Sequence, residues 1–178
     1  YQTGKVDFIS EEATIMLTGM MIDTNRFKVR TGTRTFEAAA MIRRGGADPQ
    51  EADNLLKDEY SEFETKTKAL KFCEKRDNGI VISAVTDNEI LSRAMLSQVA
   101  DTILMIKGVE AAFVIAKISD SQTAISARSR GHVNVQVIME RMHGGGHLSA
   151  AALQRENTSV EDLRTELIAT LDEVMKEE

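Results

Sequence analysis

Apolar residues in the first part of the chain recur with helical spacing. Between residues 10 and 23 they return every three to four positions, which predicts an amphipathic helix with Ser10 as its N-cap. A short helix is predicted over 36–44, ended by the glycine pair that follows it. The next helix is predicted to begin at Asp48, with Pro49 in its first position, and to continue as a connector through LLKDEYSEFETKTKALKFCEK.

From residue 79 onwards, strand-like and helical segments alternate. GIVISAVT, AAFVIAKI and TAISARS are rich in β-branched or small apolar residues and predict strands, the last two as a hairpin. Thr86 or Asp87 can cap the helix that follows the first strand, and Asn134 a short helix. Thr158 and Glu161 have capping-box spacing for the last helix. The alternation predicts an α/β fold in which helices pack on a mixed sheet of four or five strands.

Composition and charge narrow the class of protein. Of the 178 residues, 42% are hydrophobic but only 4% are aromatic, so the core must be aliphatic and rich in methionine. The single cysteine, Cys73, excludes a disulfide within the chain and suits a reducing cytosol. No apolar run is long enough to span a membrane. A net charge of −6 argues against duplex nucleic acid as a partner, whereas a small phosphorylated ligand needs only one or two arginines.

The segment MHGGGHLSAAA, at 142–152, is the first candidate for a functional site. A metal site on His143 and His147 would need a helix to bring both side chains to one face, and three glycines between them disfavour a helix. An oxyanion hole built on HGGG would need a G-x-S-x-G nucleophile elbow, which the chain lacks. Both interpretations are therefore disfavoured.

A phosphate cradle is the third interpretation of this segment. Glycines let backbone N–H groups approach an anion closely, and Arg128, Ser129 and Arg130 precede the loop with cationic and hydroxyl groups. A glycine-rich turn that only allows a helix and a sheet to pack closely would explain the same residues. The residues alone leave these two interpretations open.

Asp23 stands at the C-terminus of the first predicted helix, where the helix dipole disfavours a carboxylate. A positive group nearby would offset that cost. The residue is explained equally well as part of a C-terminal turn with Thr24 and Asn25, or as a ligand, because perturbed acids cluster at functional sites.

Two long segments resemble the DHH/DHHA1 phosphoesterase family. ISARSRGHVNVQVIMERMHGGGHLSAAA resembles the DHHA1 domain: a strand ending in Arg-Ser, a helix beginning Asn-Val-Gln, then GGGH and alanines. GMMIDTNRFKVRTGTRTFEAAAMIRRGGAD resembles the end of a DHH domain, with a DT…F element after an apolar helix. Within the family, TGTRTF, GVEAAFVIAK and NVQVIME are most similar to the GdpP/YybT type, the membrane-anchored cyclic di-AMP phosphodiesterases of Gram-positive bacteria.

The resemblance implies three parts: the C-terminal end of a DHH domain at 1–48, a connector helix at 49–77 and a DHHA1 substrate-binding domain at 78–178. It implies a Mn²⁺-dependent phosphodiesterase that hydrolyses cyclic di-AMP to linear pApA, with two Mn²⁺ ions in the complete DHH domain. Asp23 matches the last metal-binding aspartate. The substrate-holding elements of the family match Arg128, Ser129, Gly144, Gly145, Gly146 and His147.

The chain departs from the family pattern in ways that bear on activity. It contains no DHH triplet and no D-x-D motif, so we expect no catalytic residue here and little or no activity from the isolated chain. A longer protein would supply the missing N-terminal DHH segment and would lie at the cytoplasmic face of the cell membrane, while this part would be soluble. His143 stands where family members often have a fourth glycine.

The expected partner is a cyclic dinucleotide or a short oligonucleotide. An oligoribonuclease or pAp phosphatase of the same superfamily is one alternative, and a nucleotide-binding module without catalysis is another. The apolar helix at 11–22 favours association, either as a homodimer or with a retained N-terminal fragment.

Overall fold

The computed structural model describes residues 8–86 and 88–177. They form two compact units, which divide the chain between Glu59 and Tyr60. The domain limits expected from the sequence, after residues 48 and 77, stay predictions. Among the described residues, no helix combines the length and the apolar character needed to cross a membrane.

The first unit is helical and contains α1 (Ser10–Asp23), α2 (Thr33–Arg44) and α3 (Pro49–Asn54). Asp48 caps α3, as predicted, because its carboxylate accepts hydrogen bonds from the N–H groups of the first turn. The core of this unit is small and consists mainly of short side chains: Ala13, Leu17, Ile42, Ala47 and Ala52.

Helix α1 differs from its prediction in two respects. Its N-cap is Ile9, because Ser10 is already helical and its hydroxyl donates instead to the Gly46 carbonyl, at 2.6 Å. Apolar side chains also lie on its outer side, where Ile15 is 65% and Ile22 is 63% exposed. The helix is therefore apolar on more than one side, whereas the spacing predicted a single stripe.

The second unit begins with α4 (Tyr60–Leu70). The predicted connector is therefore not one continuous helix, since α3 ends at Asn54 and residues 55–59 are not helical. Tyr60–Leu70 belongs to the compact unit that holds the sheet.

A six-stranded mixed sheet forms the centre of the second unit, which confirms the predicted α/β class and exceeds the expected four or five strands. The strand order is β1-β2-β3-β4-β6-β5; β2 and β3 are parallel and the other neighbours are antiparallel. The strands are β1 (Cys73–Lys75), β2 (Ile80–Ala84), β3 (Ala111–Lys117), β4 (Gln122–Ser129), β5 (Gly145–His147) and β6 (Ala150–Glu156).

Helices cover both faces of this sheet. Helix α5 (Arg93–Ile103) packs on one face, against alternate residues of the two central strands such as Val114 and Ala124. Helices α6 (Val135–Arg141) and α7 (Val160–Glu177) pack on the other face, against Phe113 and Leu153 among others. Because α5 contacts β3 and β4, the α5 side of β6 and β5 is left partly open.

Two helices are capped by a different residue from the one predicted. Helix α5 starts after Ser92, whose hydroxyl accepts a hydrogen bond from the Met95 N–H; Thr86 lies well before this point and Asp87 lies outside the described residues. Helix α7 is capped by Ser159, whose hydroxyl accepts from the Asp162 N–H at 3.1 Å. The Thr158 hydroxyl donates instead to a carbonyl of the preceding strand.

The cap of α7 gives a first testable prediction. Ser159→Ala should lower the free energy of unfolding by about 1 kcal/mol, because it leaves an N–H group of the first turn without its side-chain acceptor. Thr158→Ala is the matched control and should have a smaller effect. Thermal unfolding of the two variants measures the difference, and a larger loss in the Thr158 variant would contradict the assignment.

Candidate functional site

The site is built from the turn that leaves α6. Asn134 caps this helix, as predicted, by accepting from the N–H groups of Gln136 and Val137. At the other end His143 has a left-handed backbone, with φ of 64°. The Gly144 N–H donates to the Met139 carbonyl at 2.7 Å and the His143 N–H donates to the Glu140 carbonyl at 3.0 Å, the two closing bonds of a Schellman turn. This geometry explains why glycine suits position 143, since glycine adopts positive φ without a steric cost.

The three glycines that follow have different roles. A Cβ on Gly144 would lie 2.5 Å from the Ala152 carbonyl oxygen, and one on Gly146 would lie 2.4 Å from the Ala151 Cα. Gly146 also has a φ of 150°. A Cβ on Gly145 would meet no atom within 4 Å. Gly144 and Gly146 are therefore required by packing, whereas Gly145 leaves its backbone open to a neighbouring molecule.

The open side of Gly145 belongs to a cleft of about 240 Å³ on the α5 face of the sheet. Its floor consists of small or apolar residues of three strands, and its wall is α5. We call it the β6 cleft, because β6 runs along it. Among its lining residues are Arg93, Leu96, Ser97, Ala124, Ser126, Arg128, Gly145, Ala150, Ala152 and Gln154.

Strand register brings the predicted arginine to the cleft. Arg128 pairs with Ala150 of β6, and Ala150 pairs in turn with His147 of β5. Side chains directly opposite one another share a face of the sheet, so all three lie on the α5 side. Two strand spacings separate Arg128 from His147, about 10 Å. The alanine between them adds little bulk, which leaves room for a ligand beside Arg128.

Arg128 is held from two sides. Its Nε lies 3.4 Å from Oδ1 of Asp101 on α5, and its Nη1 donates to the Ala127 carbonyl at 3.1 Å. Burial raises the pKa of the Asp101 carboxyl, and the Arg128 guanidinium opposes that rise. The guanidinium thus has a defined position at the rim of the cleft. Planar, paired donors of this kind match phosphate oxygens.

Ser129 and His147 occupy different positions from Arg128. Ser129 is buried on the opposite side of β4, where its hydroxyl accepts from the Gly131 N–H at 2.8 Å, so the structure does not bring it into the cleft with Arg128. His147 is exposed at the end of β5, with Nδ1 3.4 Å from the Ser149 hydroxyl. Gly145 and Gly146 line the cleft, and Gly144 lies behind them against β6.

Sequence reasoning missed the far end of the cleft. Nη2 of Arg93 donates to Oε1 of Gln154 at 2.8 Å, and the hydroxyls of Ser97 and Ser126 lie 3.3 Å apart. Gln154 could have been found from the sequence, because it lies four residues after Ala150 in the same strand and must therefore share its face of the sheet. Arg93 had no such signal, since the predicted start of its helix was wrong.

Asp23 lies in the first unit, at the end of α1, as predicted. It lines a hollow of about 510 Å³ with Arg30, Arg34 and two threonines, so two guanidinium groups border the same hollow as this carboxylate. Within 8–86 and 88–177, no three His, Cys, Asp or Glu side chains come together to hold a metal ion. A single carboxylate in a hollow that two guanidinium groups also line does not by itself fit Mn²⁺, which prefers several oxygen ligands.

The different roles of the glycines can be tested by alanine substitution. Gly144→Ala and Gly146→Ala should each lower the free energy of unfolding by about 1–3 kcal/mol, because the new Cβ overlaps the backbone of β6. Gly145→Ala has space for its methyl group and should change stability by only about 0.5 kcal/mol. Chemical denaturation measures all three, and equal losses would contradict this division of roles.

The environment of Asp101 gives a pH-dependent prediction. A raised pKa means that the folded chain binds the proton more tightly than the unfolded chain, so ionised Asp101 costs stability at neutral pH. Asp101→Asn should therefore have a higher melting temperature than the wild type at pH 7. The advantage should shrink as the pH falls toward the ordinary carboxyl pKa of 3.8. A melting temperature below that of the wild type at pH 7 would show that the ion pair with Arg128 dominates instead.

Comparison with known proteins identifies the family. Residues 76–177 match the model of the DHHA1 domain. The chain is 41% identical over 167 residues to the cyclic-di-AMP phosphodiesterase GdpP of Geobacillus thermodenitrificans, covering 94% of this chain and 25% of that protein. It is 39% identical over 177 residues to the cyclic-di-AMP phosphodiesterase PdeA of Listeria monocytogenes, covering 99% of this chain and 26% of that protein. The chain thus spans about a quarter of the length of these curated relatives.

A solved structure supports the fold. The exopolyphosphatase-related protein of Bacteroides fragilis superposes with a TM-score of 0.79 at 19% identity, over 93% of this chain and 51% of that one. The likeness at this identity concerns the architecture alone. Together with the DHHA1 match, it confirms the resemblance found in the sequence: the chain belongs to the DHHA1 domain family of the DHH/DHHA1 phosphoesterases.

Proposed function

We propose that this chain is the nucleotide-binding part of a phosphodiesterase that hydrolyses cyclic di-AMP to linear pApA. The observation that carries the proposal is the β6 cleft, in which the guanidinium of Arg128 and the open backbone of Gly145 border an apolar floor. A phosphate needs the guanidinium and the open backbone as hydrogen-bonding groups, and a nucleoside needs the apolar floor to pack on. The names of the relatives, both cyclic-di-AMP phosphodiesterases, supply the substrate.

The residues of this chain would act by binding and orientation. Arg128 is already fixed by Asp101 and by the Ala127 carbonyl, so little side-chain entropy would be lost when it pairs with a phosphate. The exposed imidazole of His147 would add a further donor to the phosphate at the other side of Ala150. Hydrolysis adds water across one P–O bond, which leaves a phosphate monoester on one nucleotide and a hydroxyl on the other.

Asp23 is the residue of this chain that we propose as a manganese ligand. Two Mn²⁺ ions would supply a polarised phosphodiester and an activated water. Asp23 would be one ligand, and a longer protein would supply the others, because no three His, Cys, Asp or Glu side chains come together within 8–86 and 88–177. Attachment of that protein at the cytoplasmic face of the membrane, and a homodimer, remain part of the same prediction.

Binding at the cleft can be tested on this chain by calorimetric titration with pApA. Arg128→Ala should weaken binding about 10- to 100-fold, because it removes a charged hydrogen-bond donor worth about 1.5–3 kcal/mol. Arg44→Ala, an exposed arginine at the end of α2, makes the same change of charge and should leave the affinity unchanged. Equal affinity of the wild type and the Arg128 variant for pApA would show that the β6 cleft is not the binding site.

The metal assignment needs the longer protein. Asp23→Asn in that protein should abolish Mn²⁺-dependent hydrolysis of cyclic di-AMP, since an amide is a much poorer metal ligand than a carboxylate. Near wild-type turnover in this variant would overturn the role of Asp23. Hydrolysis of short oligonucleotides or pAp in preference to cyclic di-AMP would favour an oligoribonuclease or pAp phosphatase, and binding without turnover would favour a non-catalytic module.

A further inference from the structure

Arg155 holds the start of the segment that carries the three glycines. It follows Gln154 directly in β6, so it faces the α6 and α7 side of the sheet, away from the β6 cleft. Its Nη2 donates to the Met142 carbonyl at 2.8 Å. The same guanidinium group donates to both carboxylate oxygens of Glu166 on α7, at 2.6 and 3.1 Å. One side chain therefore ties the end of α6 to α7.

The Met142 carbonyl belongs to the peptide that leads into the turn after α6. The next residue, His143, has a φ of 64°, a conformation that is unfavourable for a residue with a Cβ. Carbonyls in the last turn of a helix also lack partners within the helix. The guanidinium of Arg155 satisfies this carbonyl, complements the negative end of the helix dipole and holds the peptide in the orientation that the turn requires.

The strand after the turn is short and lies at the edge of the sheet. β5 has three residues, two of them glycines, and it pairs on one side only, with β6. Glycine loses more conformational freedom on ordering than any other residue. Backbone bonds hold the far end of the hairpin, where the Ser149 carbonyl accepts from the Ser129 N–H at 2.9 Å. The near end, which leads directly to Gly145, is the end that Arg155 holds.

We infer that Arg155 is a positioning residue for the phosphate end of the β6 cleft. The inference rests on the proposed function, in which the backbone of Gly145 and the guanidinium of Arg128 bind phosphate. Arg155 keeps the glycine segment in place before the ligand arrives, so binding does not have to order that segment. Glu166 acts through Arg155, because its carboxylate fixes the direction of the guanidinium group. Helix α7 thereby influences a site on the opposite face of the sheet.

Arg164 on α7 provides a matched comparison. Its side chain is 25% exposed, against 31% for Arg155, and it pairs with the carboxylates of Glu74 and Glu161. Glu74 lies on β1, at the edge of the sheet opposite β5. Removal of either guanidinium group costs ion pairs of similar exposure, but of these two arginines it is Arg155 that contacts the turn leading to Gly145.

The first measurement is amide hydrogen exchange of this chain, followed by NMR. The Gly144 N–H donates to the Met139 carbonyl and is protected only while the turn is formed. Arg155→Met keeps most of the side-chain stem and removes the donors. It should speed exchange at Gly144 about tenfold, the lower end of what a hydrogen bond from a charged group provides. Arg164→Met should leave exchange at Gly144 unchanged, because the partners of Arg164 lie elsewhere.

The second measurement is calorimetric titration of the same variants with pApA. Arg155→Met should weaken binding about three- to tenfold, because the ligand must then order the glycine segment. Arg164→Met should bind pApA as tightly as the wild type does.

Arg155→Lys tests the same contact with the charge retained. An ammonium group lacks the planar fork that matches both Glu166 oxygens while reaching the Met142 carbonyl. The affinity of this variant for pApA and its exchange rate at Gly144 should therefore lie between those of the wild type and Arg155→Met. Circular dichroism establishes that each variant is folded, and Arg155→Lys takes the place of Arg155→Met if the latter does not fold.

The outcomes separate this inference from the proposed function. If Arg128→Ala weakens pApA binding while Arg155→Met keeps wild-type affinity or wild-type exchange at Gly144, the positioning role is overturned and the proposed function stands. Equal losses of affinity in Arg155→Met and Arg164→Met would also overturn the role, because they would reflect general destabilisation. If pApA does not bind, or if Arg128→Ala has no effect, both proposals are overturned. Loss of affinity and of Gly144 protection in Arg155→Met, with neither in Arg164→Met, supports the role.

Discussion

The close approach of two backbones in the β5–β6 hairpin is the constraint on which the candidate site depends. Gly144 and Gly146 lie so near β6 that neither has room for a Cβ. Because the strands meet at this distance, β5 can follow directly from the turn that ends α6, and Gly145 turns its backbone toward the cleft. Arg128 reaches the same place through the register of β4 and β6. Shifting that register by one residue would turn Arg128 to the α7 face and remove the cationic end of the cleft.

The features that sequence predicted correctly are those set by local chemistry. Asn134 and Asp48 cap their helices because an amide or carboxylate oxygen reaches the next N–H groups almost regardless of the rest of the fold. The α/β class followed from apolar runs whose period changes between strand and helix. Arg128 and the glycines are close in sequence, and the strands bring Arg128, Gly145 and Gly146 to one cleft. That this cleft is a phosphate cradle stays a prediction, for which the resemblance to the DHHA1 domain was needed.

The features that sequence missed depend on contacts between distant residues. Ser10, Ser92 and Ser159 are similar side chains, and the hydroxyl that caps a helix was decided by which other partners each could reach, such as the Gly46 carbonyl for Ser10. Ser129 was missed for a local reason, since it directly follows Arg128 in β4 and successive residues of a strand face opposite sides of the sheet. Arg93 and Gln154 are separated by 61 positions, and only the packing of α5 along β4 brings them together.

The lengths of the sheet edges have a consequence for solubility. The two outermost strands, β1 and β5, have three residues each, whereas the inner strands have five to eight. An exposed strand edge is a template on which another chain can add a strand, and a three-residue edge offers few unpaired backbone groups for this. The β5–β6 hairpin that borders the cleft therefore also limits association of the sheet through its β5 edge. Mutations that lengthen or flatten β5 should cause aggregation before they affect binding.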